Sequence, residues 1–459
     1  MPRSLPLIPL LALLALCAPA QAEDSPLHAG PMQGYVAERS VALWVQTKRK
    51  TKFQYRYWPE NAPAKALLTP EKSTHREADY CRTTVLDGLT PGVRYRYELY
   101  LDGKNVPRPY ALTFTTRPLW RWRTSPPTVT LLMGSCAYFN EPKVDRPGNS
   151  YGGQEEIYES MAKVKADGML WLGDNVYFRE VDWTTKEGLA ARYRHDRSHP
   201  KLQALLAAMP HYATWDDHDF GPNDSDGTYP LKDEALKLFK RYWPAVTYGM
   251  PKVPGVFQQF PIADAEIFML DDRYHRSPNS LKLSAKKRML GKGQLKWLKH
   301  ALAASRSNFK IVAVGSQVLN RITPWEAWQP MFPQEQKELI DWIVTQRIEG
   351  VVFLSGDRHH TELLVQKPSG GYPLYDFTSS PMTSRAHRMR KDNPEYKNPL
   401  RVPGTLVGER NFGVIQITGP AKDRRLVLET RRVDGTRIWR QEIPRSKLQW
   451  PRKKKGKLY

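Results

Sequence analysis

The chain of 459 residues carries 70 Lys and Arg against 47 Asp and Glu, a formal net charge of +23. With 40% hydrophobic and 25% charged residues it can bury a core, which excludes wholesale disorder, and its strongly negative mean hydropathy excludes a polytopic membrane protein. The length favours two or three domains, and the charge leaves nucleic acid, anionic envelope polymers and phosphorylated small molecules open as partners.

Residues 1–22 have the parts of a secretory signal peptide: Arg3, an apolar run from Leu5 to Cys17, then Ala20-Gln21-Ala22. They predict export through the general secretion route, with cleavage after Ala22, to the periplasm or the exterior. Pro6, Pro9 and the shortness of the run argue against an uncleaved anchor. Cleavage leaves Cys81 and Cys136 in an oxidising compartment, where a disulfide between them is one open expectation.

Residues 27–117 read as a small β-sandwich domain. Val41 to Val45 is a short apolar strand, and Phe53, Tyr55 and Tyr57 alternate in the next. In Asp87-Gly-Leu89-Thr-Pro91-Gly-Val93-Arg-Tyr95-Arg-Tyr97-Glu-Leu99 the turn residues precede a run with Val93, Tyr95, Tyr97 and Leu99 on one face. Leu89, Pro91, Tyr95 and Tyr97 resemble the turn and strand of a fibronectin type III-like sandwich. Arg117 to Pro127 reads as a linker.

From 128 to 440 short apolar runs alternate with helical-period segments such as Gly153–Ala166 and Gln294–Ala304, which predicts an α/β domain. Five buried-strand candidates end alike. Thr128–Met133 runs into Gly134-Ser135-Cys136, and Met169–Leu172 into Gly173-Asp174-Asn175-Val176-Tyr177. His211–Trp215 runs into Asp216-Asp217-His218-Asp219, Glu266–Leu270 into Asp271-Asp272-Arg273, and Val351–Leu354 into Ser355-Gly356-Asp357-Arg358-His359-His360. Ligands of open α/β sheets sit beyond the carboxyl ends of the strands, so these tips are expected to converge. So many acids together would repel without cations, which points to a multi-metal site. Carboxylates suit magnesium, calcium or manganese, while imidazole and thiolate suit zinc or iron. Arg273, Arg358 and Arg385 are placed to hold phosphate oxygens. Residues 445–459 form a basic tail with seven Lys and Arg and no acid, a solvated end or a docking element for anionic lipid or wall polymer.

Together, Gly134-Ser-Cys136, Gly173-Asp174-Asn-Val-Tyr177, Trp215-Asp-Asp217-His218-Asp219-Phe-Gly221 and Gly356-Asp357-Arg-His359 resemble the PhoD-like alkaline phosphatase D family of calcineurin-like metallophosphoesterases. The resemblance implies a four-layer α/β/β/α sandwich and hydrolysis of phosphate mono- or diesters by metal-bound hydroxide. It implies Cys136, Asp174, Tyr177, Asp217, Asp357 and His359 as metal ligands and His218 as the catalytic group facing the phosphate. Asp219, Arg273 and Arg358 are expected to bind substrate. It implies Fe(3+) and Ca(2+), disfavouring Zn(2+) and Mn(2+). One departure stands out: Phe309–Val314 leads into Gly315-Ser316-Gln317, where the superfamily has a metal-binding histidine. If Cys136 binds metal, the disulfide with Cys81 cannot form. Phosphate esters are the expected substrates, specific nucleic-acid binding is not expected, and the rival readings are a phospholipase D-like diesterase acting on envelope lipids or polymers and a non-catalytic polyanion binder.

Overall fold

The computed structural model describes residues 25–322 and 327–450. The signal-peptide expectation and the last nine residues of the basic tail lie outside the described residues. No helix among them is long and apolar enough to cross a membrane.

Near the N-terminus, Leu27–Val36, Val41–Thr47 and Cys81–Leu86 form one antiparallel sheet. A second is built on Lys52–Pro59 and Arg94–Leu101. Val41, Leu43 and Val45 from the first sheet pack on Phe53, Tyr55, Tyr95, Tyr97 and Leu99 from the second. The alternation read in the sequence is visible here: Tyr95, Tyr97 and Leu99 are buried while Arg94 and Arg96 are exposed. Val41–Thr47 is buried along its whole length because its other face, through Trp44, joins the core of the following α/β region. The unbroken apolar run is thus a strand covered on both sides.

That α/β region has two six-stranded mixed sheets. In the first, His211–Thr214, Gly168–Leu172 and Val129–Gly134 run parallel, followed by antiparallel Asn411–Thr418, Arg425–Arg432 and Arg437–Pro444. In the second, Ala265–Met269, Phe309–Ala313, Val351–Ser355 and Leu374–Thr378 are parallel, with Gln258–Ile262 and Glu362–Gln366 antiparallel at the edges. Leu131, Met133, Leu170 and Ile415 of one sheet share a core with Ile267, Ile311, Phe353 and Phe377 of the other. Helices Gly291–Ala304 and Pro333–Thr345 cover the second sheet through Leu295, Leu298, Leu339 and Ile343. Helices Lys186–Arg197, Gln203–Ala208 and Lys232–Tyr242 cover the first, packing on Leu132, Met169 and Trp171. Helices outside and two sheets inside bring all the parallel strand tips to one end of the molecule.

Cys81 and Cys136 are both free and buried, so the disulfide expectation is corrected. The reason is placement: Cys81 belongs to the core joining the N-terminal sheet to the α/β region, whereas Cys136 lies in a small separate cluster with Tyr138 and Tyr177.

Candidate metal centre

Each strand tip turns sharply to present its side chain. Cys136, Asp174, Asp357 and His359 all have left-handed backbone, with φ of 61, 51, 64 and 53°. Non-glycine residues held this way cost about 1–3 kcal/mol each, a pattern that clusters at functional sites. Gly173, at φ +91°, cannot be larger: a Cβ there would lie 2.5 Å from the Cβ of Asp216. Asp216 then caps the four-residue turn Asp217–Phe220, with Asp219 closing the capping box.

Among the described residues three overlapping sets of donor atoms result, each within 4.8 Å: Cys136, Asp174 and His359; Asp174, Asp217 and His218; Asp216, Asp217 and Asp357. Asp174 and Asp217 each belong to two sets, so the three form one chain of donors. Tyr177 stands at the first set, its hydroxyl donating to Asp174 Oδ2 at 3.0 Å and lying 3.1 Å from His359 Nε2. The Cys136 Sγ is 3.5 Å from the same Asp174 oxygen. His218 stacks on Tyr177 with ring centroids 4.2 Å apart, and its backbone N–H donates to Asp174 Oδ1 at 3.3 Å.

The electrostatics are those of an anion cluster removed from water. Burial, reinforced by Cys136, Asp217 and Asp357, pushes the Asp174 carboxyl well above the usual carboxylate range. Burial also raises Asp216, although Arg273 opposes the shift. The Cys136 thiol is pushed up to about 12 by burial and then by Asp357. Burial lowers His359 well below the ordinary imidazole value, with His387 and His218 adding to it, which keeps its ring neutral and able to ligate. Buried Asp216 Oδ2 and Asp217 Oδ1 accept no hydrogen bond. Buried acceptors lacking donors, beside a thiol, a phenol and two imidazoles, fit a centre of more than one cation.

The structure therefore brings together Cys136, Asp174, Tyr177, Asp217, His218, Asp357 and His359. Three expected substrate contacts are placed otherwise. Asp219 is buried beneath the tips, accepting from Asp216 N at 2.6 Å and Asn175 N at 3.1 Å, so it braces two loops instead of meeting substrate. Arg273 is wholly buried against Asp216. Arg358 Nη2 donates to both oxygens of Glu395, 37 residues on, at 2.9 Å, while its Nη1 stays 3.7 Å from Asp357 Oδ2. Charge adjacency in sequence suggested phosphate contacts, but buried acids claimed these arginines first. Arg385 donates to Asn149 O at 2.9 Å and lies over the Tyr151 ring.

Sequence reasoning missed several neighbours. The Tyr151 hydroxyl lies 3.4 Å from His359 Nδ1, Ser384 Oγ lies 3.3 Å from His359 Nε2, and Ser380 Oγ donates to Cys136 Sγ at 3.2 Å. They come from loops with no acidic signature, and only the run Ser379-Ser380-Pro381 after a buried strand hinted at them. Where a histidine was looked for, Ser316 donates to Asp272 Oδ2, and Gln317 donates to Glu362 at 2.9 Å and Thr378 at 2.8 Å. That strand tip braces the site by hydrogen bonds.

Comparison with known proteins agrees with this architecture. The family model for PhoD-like phosphatase matches residues 131–418, and one for a domain of unknown function (DUF7800) matches residues 24–119. Alkaline phosphatase D of Bacillus subtilis (strain 168) is 23% identical over 328 residues, 59% of this chain and 54% of that protein. The match thus spans about half the length of that relative. A solved structure of PhoD superposes with a TM-score of 0.74 at 18% identity, over 90% of this chain and 87% of that one. Purple acid phosphatase PPD1 from yellow lupin (Lupinus luteus) seeds does so with 0.62 at 10% identity, over 90% and 74%. These two likenesses establish mixed α/β sheets of the same fold.

Proposed function

Because the chain belongs to the PhoD-like phosphatase family, we propose that it is a metal-dependent phosphoesterase hydrolysing phosphate mono- and diesters. The observation that carries the reading is the continuous run of three donor sets sharing Asp174 and Asp217. Cys136, Tyr177 and His359 supply sulfur, phenol and imidazole, a set suited to ferric iron; Asp216, Asp217 and Asp357 supply oxygen alone, a set suited to calcium. When bound, such ions would neutralise the developing charge on phosphorus and its oxygens.

The chain's own residues supply the rest. His218 is 22% exposed, against 4% for Asp217 beside it and 15% for Asp357, so its ring is more accessible than either carboxylate. It is fixed by stacking on Tyr177 and can deliver a proton to the departing ester oxygen. Tyr138, Tyr151 and Tyr177 pack on one another as an aromatic wall that limits water around the tips. We read the N-terminal unit as a fibronectin type III-like accessory domain and the chain as exported, on the strength of residues 1–22.

The test is hydrolysis of p-nitrophenyl phosphate and its bis ester, with and without EDTA, by wild type and Asp174→Ala. Chelator-sensitive turnover that Asp174→Ala abolishes supports the reading, and activity on neither ester sinks it. Metal analysis of the purified protein checks iron and calcium, and a single tightly held zinc contradicts them.

A further inference from the structure

We propose that the face opposite the strand tips docks on an anionic lipid bilayer, with Trp122 inserted among the headgroups. The turn Trp120–Thr124 is closed by Arg123 N and Thr124 N donating to Trp120 O at 3.0 and 2.9 Å. At its apex Trp122 is 97% exposed, on left-handed backbone at φ 61°, with Leu119 beside it 51% exposed. A protein of this size ordinarily finds cover for so large an indole, and holding one outward on strained backbone works against folding. Trp is the side chain best suited to a membrane–water boundary, with an apolar body and one N–H donor.

Topology places this turn. The linker ends at Pro127 and enters Val129–Gly134 at its amino end, whereas Cys136 and the donor cluster lie past its carboxyl end, roughly 20 Å away at strand rise. The same edge holds the chain's other exit. Val129 pairs with Ile417, Thr418 with Arg425, and Arg425 with Pro444. Buried Arg424 joins the two exits: it donates to Pro127 O at 3.0 Å, and Arg445 N donates to its carbonyl at 2.9 Å. The chain then runs to Gln449 and Trp450, both held on Glu349 just before Val351–Ser355. From there Pro451–Tyr459 continues with five Lys and Arg and no acid.

The charge on this edge is mainly basic, with Asp167 tied to Thr130 N at 2.8 Å. Arg121, Arg123, Arg306, Arg347, Lys422 and Lys447 are exposed, while the neighbouring acids are occupied: Asp423 by Arg425, Glu349 by the chain end, and Asp264 by Arg424. Cations ringing an exposed indole match an anionic headgroup layer over an apolar one. A soluble polyanion would use the cations and leave the indole in water. Docking through this face holds the strand tips away from the bilayer, towards solutes and not towards lipids of the same leaflet.

The experiment uses the full chain and vesicles of equal parts phosphatidylcholine and phosphatidylglycerol at low salt, with phosphatidylcholine vesicles as control. Cosedimentation is expected with the anionic vesicles only, and roughly tenfold weaker for Trp122→Ala, from the lost apolar burial. Arg121→Glu with Arg123→Glu is expected to weaken it further. An environment-sensitive dye on Trp122→Cys should respond on binding, while the same dye on Arg146→Cys, on the strand-tip side, should not. Thermal melting of Trp122→Ala at the wild-type temperature separates lost docking from lost folding. The proposal is overturned if the full chain ignores anionic vesicles, if Trp122→Ala binds them as wild type does, so that the tail acts alone, or if the Arg146→Cys dye responds equally. Binding to soluble polyphosphate with displacement from vesicles regardless of residue 122 overturns it in favour of a polymer ligand.

Discussion

Arg273 lays its guanidinium against the Asp216 carboxylate, with both side chains wholly out of solvent at the base of the donor cluster. The pair neutralises one acid of a crowded set while leaving buried Asp216 Oδ2 free of hydrogen bonds. Removing one partner of a buried pair typically costs about 3–5 kcal/mol, because the other charge stays buried. Arg273→Leu should therefore lower stability by about that much in urea unfolding. Combining it with Asp216→Asn should recover part of the loss. A double variant no better than the single one would mean that the arginine acts by packing alone.

Asp174 is the donor common to two of the three sets, so its loss should reach further than that of a bracing residue. Losing an outer partner of a metal ligand commonly costs about 10–100-fold. Ser380→Ala, which removes a donor to Cys136 Sγ, should fall in that range. Asp174→Ala should exceed it and lower the bound metal content as well, measured by elemental analysis beside turnover.

His218 is expected to act on the leaving group, so its importance should scale with how much that group needs a proton. His218→Gln should reduce kcat for an alkyl phosphate by about 10²–10⁴-fold. With p-nitrophenyl phosphate, whose phenolate leaves readily, the loss should be much smaller. Equal losses on both substrates would instead assign His218 to charge stabilisation.

A pH signature comes from the network beneath the tips. Burial alone would raise the Glu362 carboxyl, but His360 and Arg401 outweigh it and hold it at about 2. A depressed carboxyl contributes stability in full above its unfolded value near 4.5 and loses it as pH falls towards 2. Glu362→Gln should therefore cost most at neutral pH, and its gap from wild type in thermal melting should close between pH 4.5 and 2. A gap independent of pH would mean that the charge of Glu362 contributes nothing.

Much of the architecture was legible because periodicity and punctuation agree here. The apolar runs ending in Gly134, Gly173 and Gly356 are strands, and their acidic and sulfur-bearing tips do converge. What could not be read was which polar groups face each other. Arg273 and Arg358 stand next to site acids in the chain, yet the first turns inward to Asp216 and the second sideways to Glu395, 37 residues on. Asp219 shares a motif with Asp217, but two residues on along a helical turn it faces the other side and braces the loops instead of joining the donor sets. The left-handed backbone at Cys136, Asp174, Asp357 and His359 has no sequence mark, since none is glycine. Tyr151, Ser380 and Ser384 arrive from loops whose composition is ordinary.

The strand Val41–Thr47, covered on both sides, bears on where the polypeptide can be cut. A boundary at the linker looks natural from composition, and the N-terminal unit carries none of the donor atoms. Yet Trp44 donates to Arg241 O at 2.9 Å, and Ala29, Met32 and Trp44 share a core with Tyr193, Leu206, Tyr242 and Trp243. A chain beginning at residue 128 would leave that apolar wall of the α/β region facing water. The N-terminal unit is thus a permanent wall of the α/β region and not a detachable appendage, and a truncated chain is expected to aggregate even with every site residue intact.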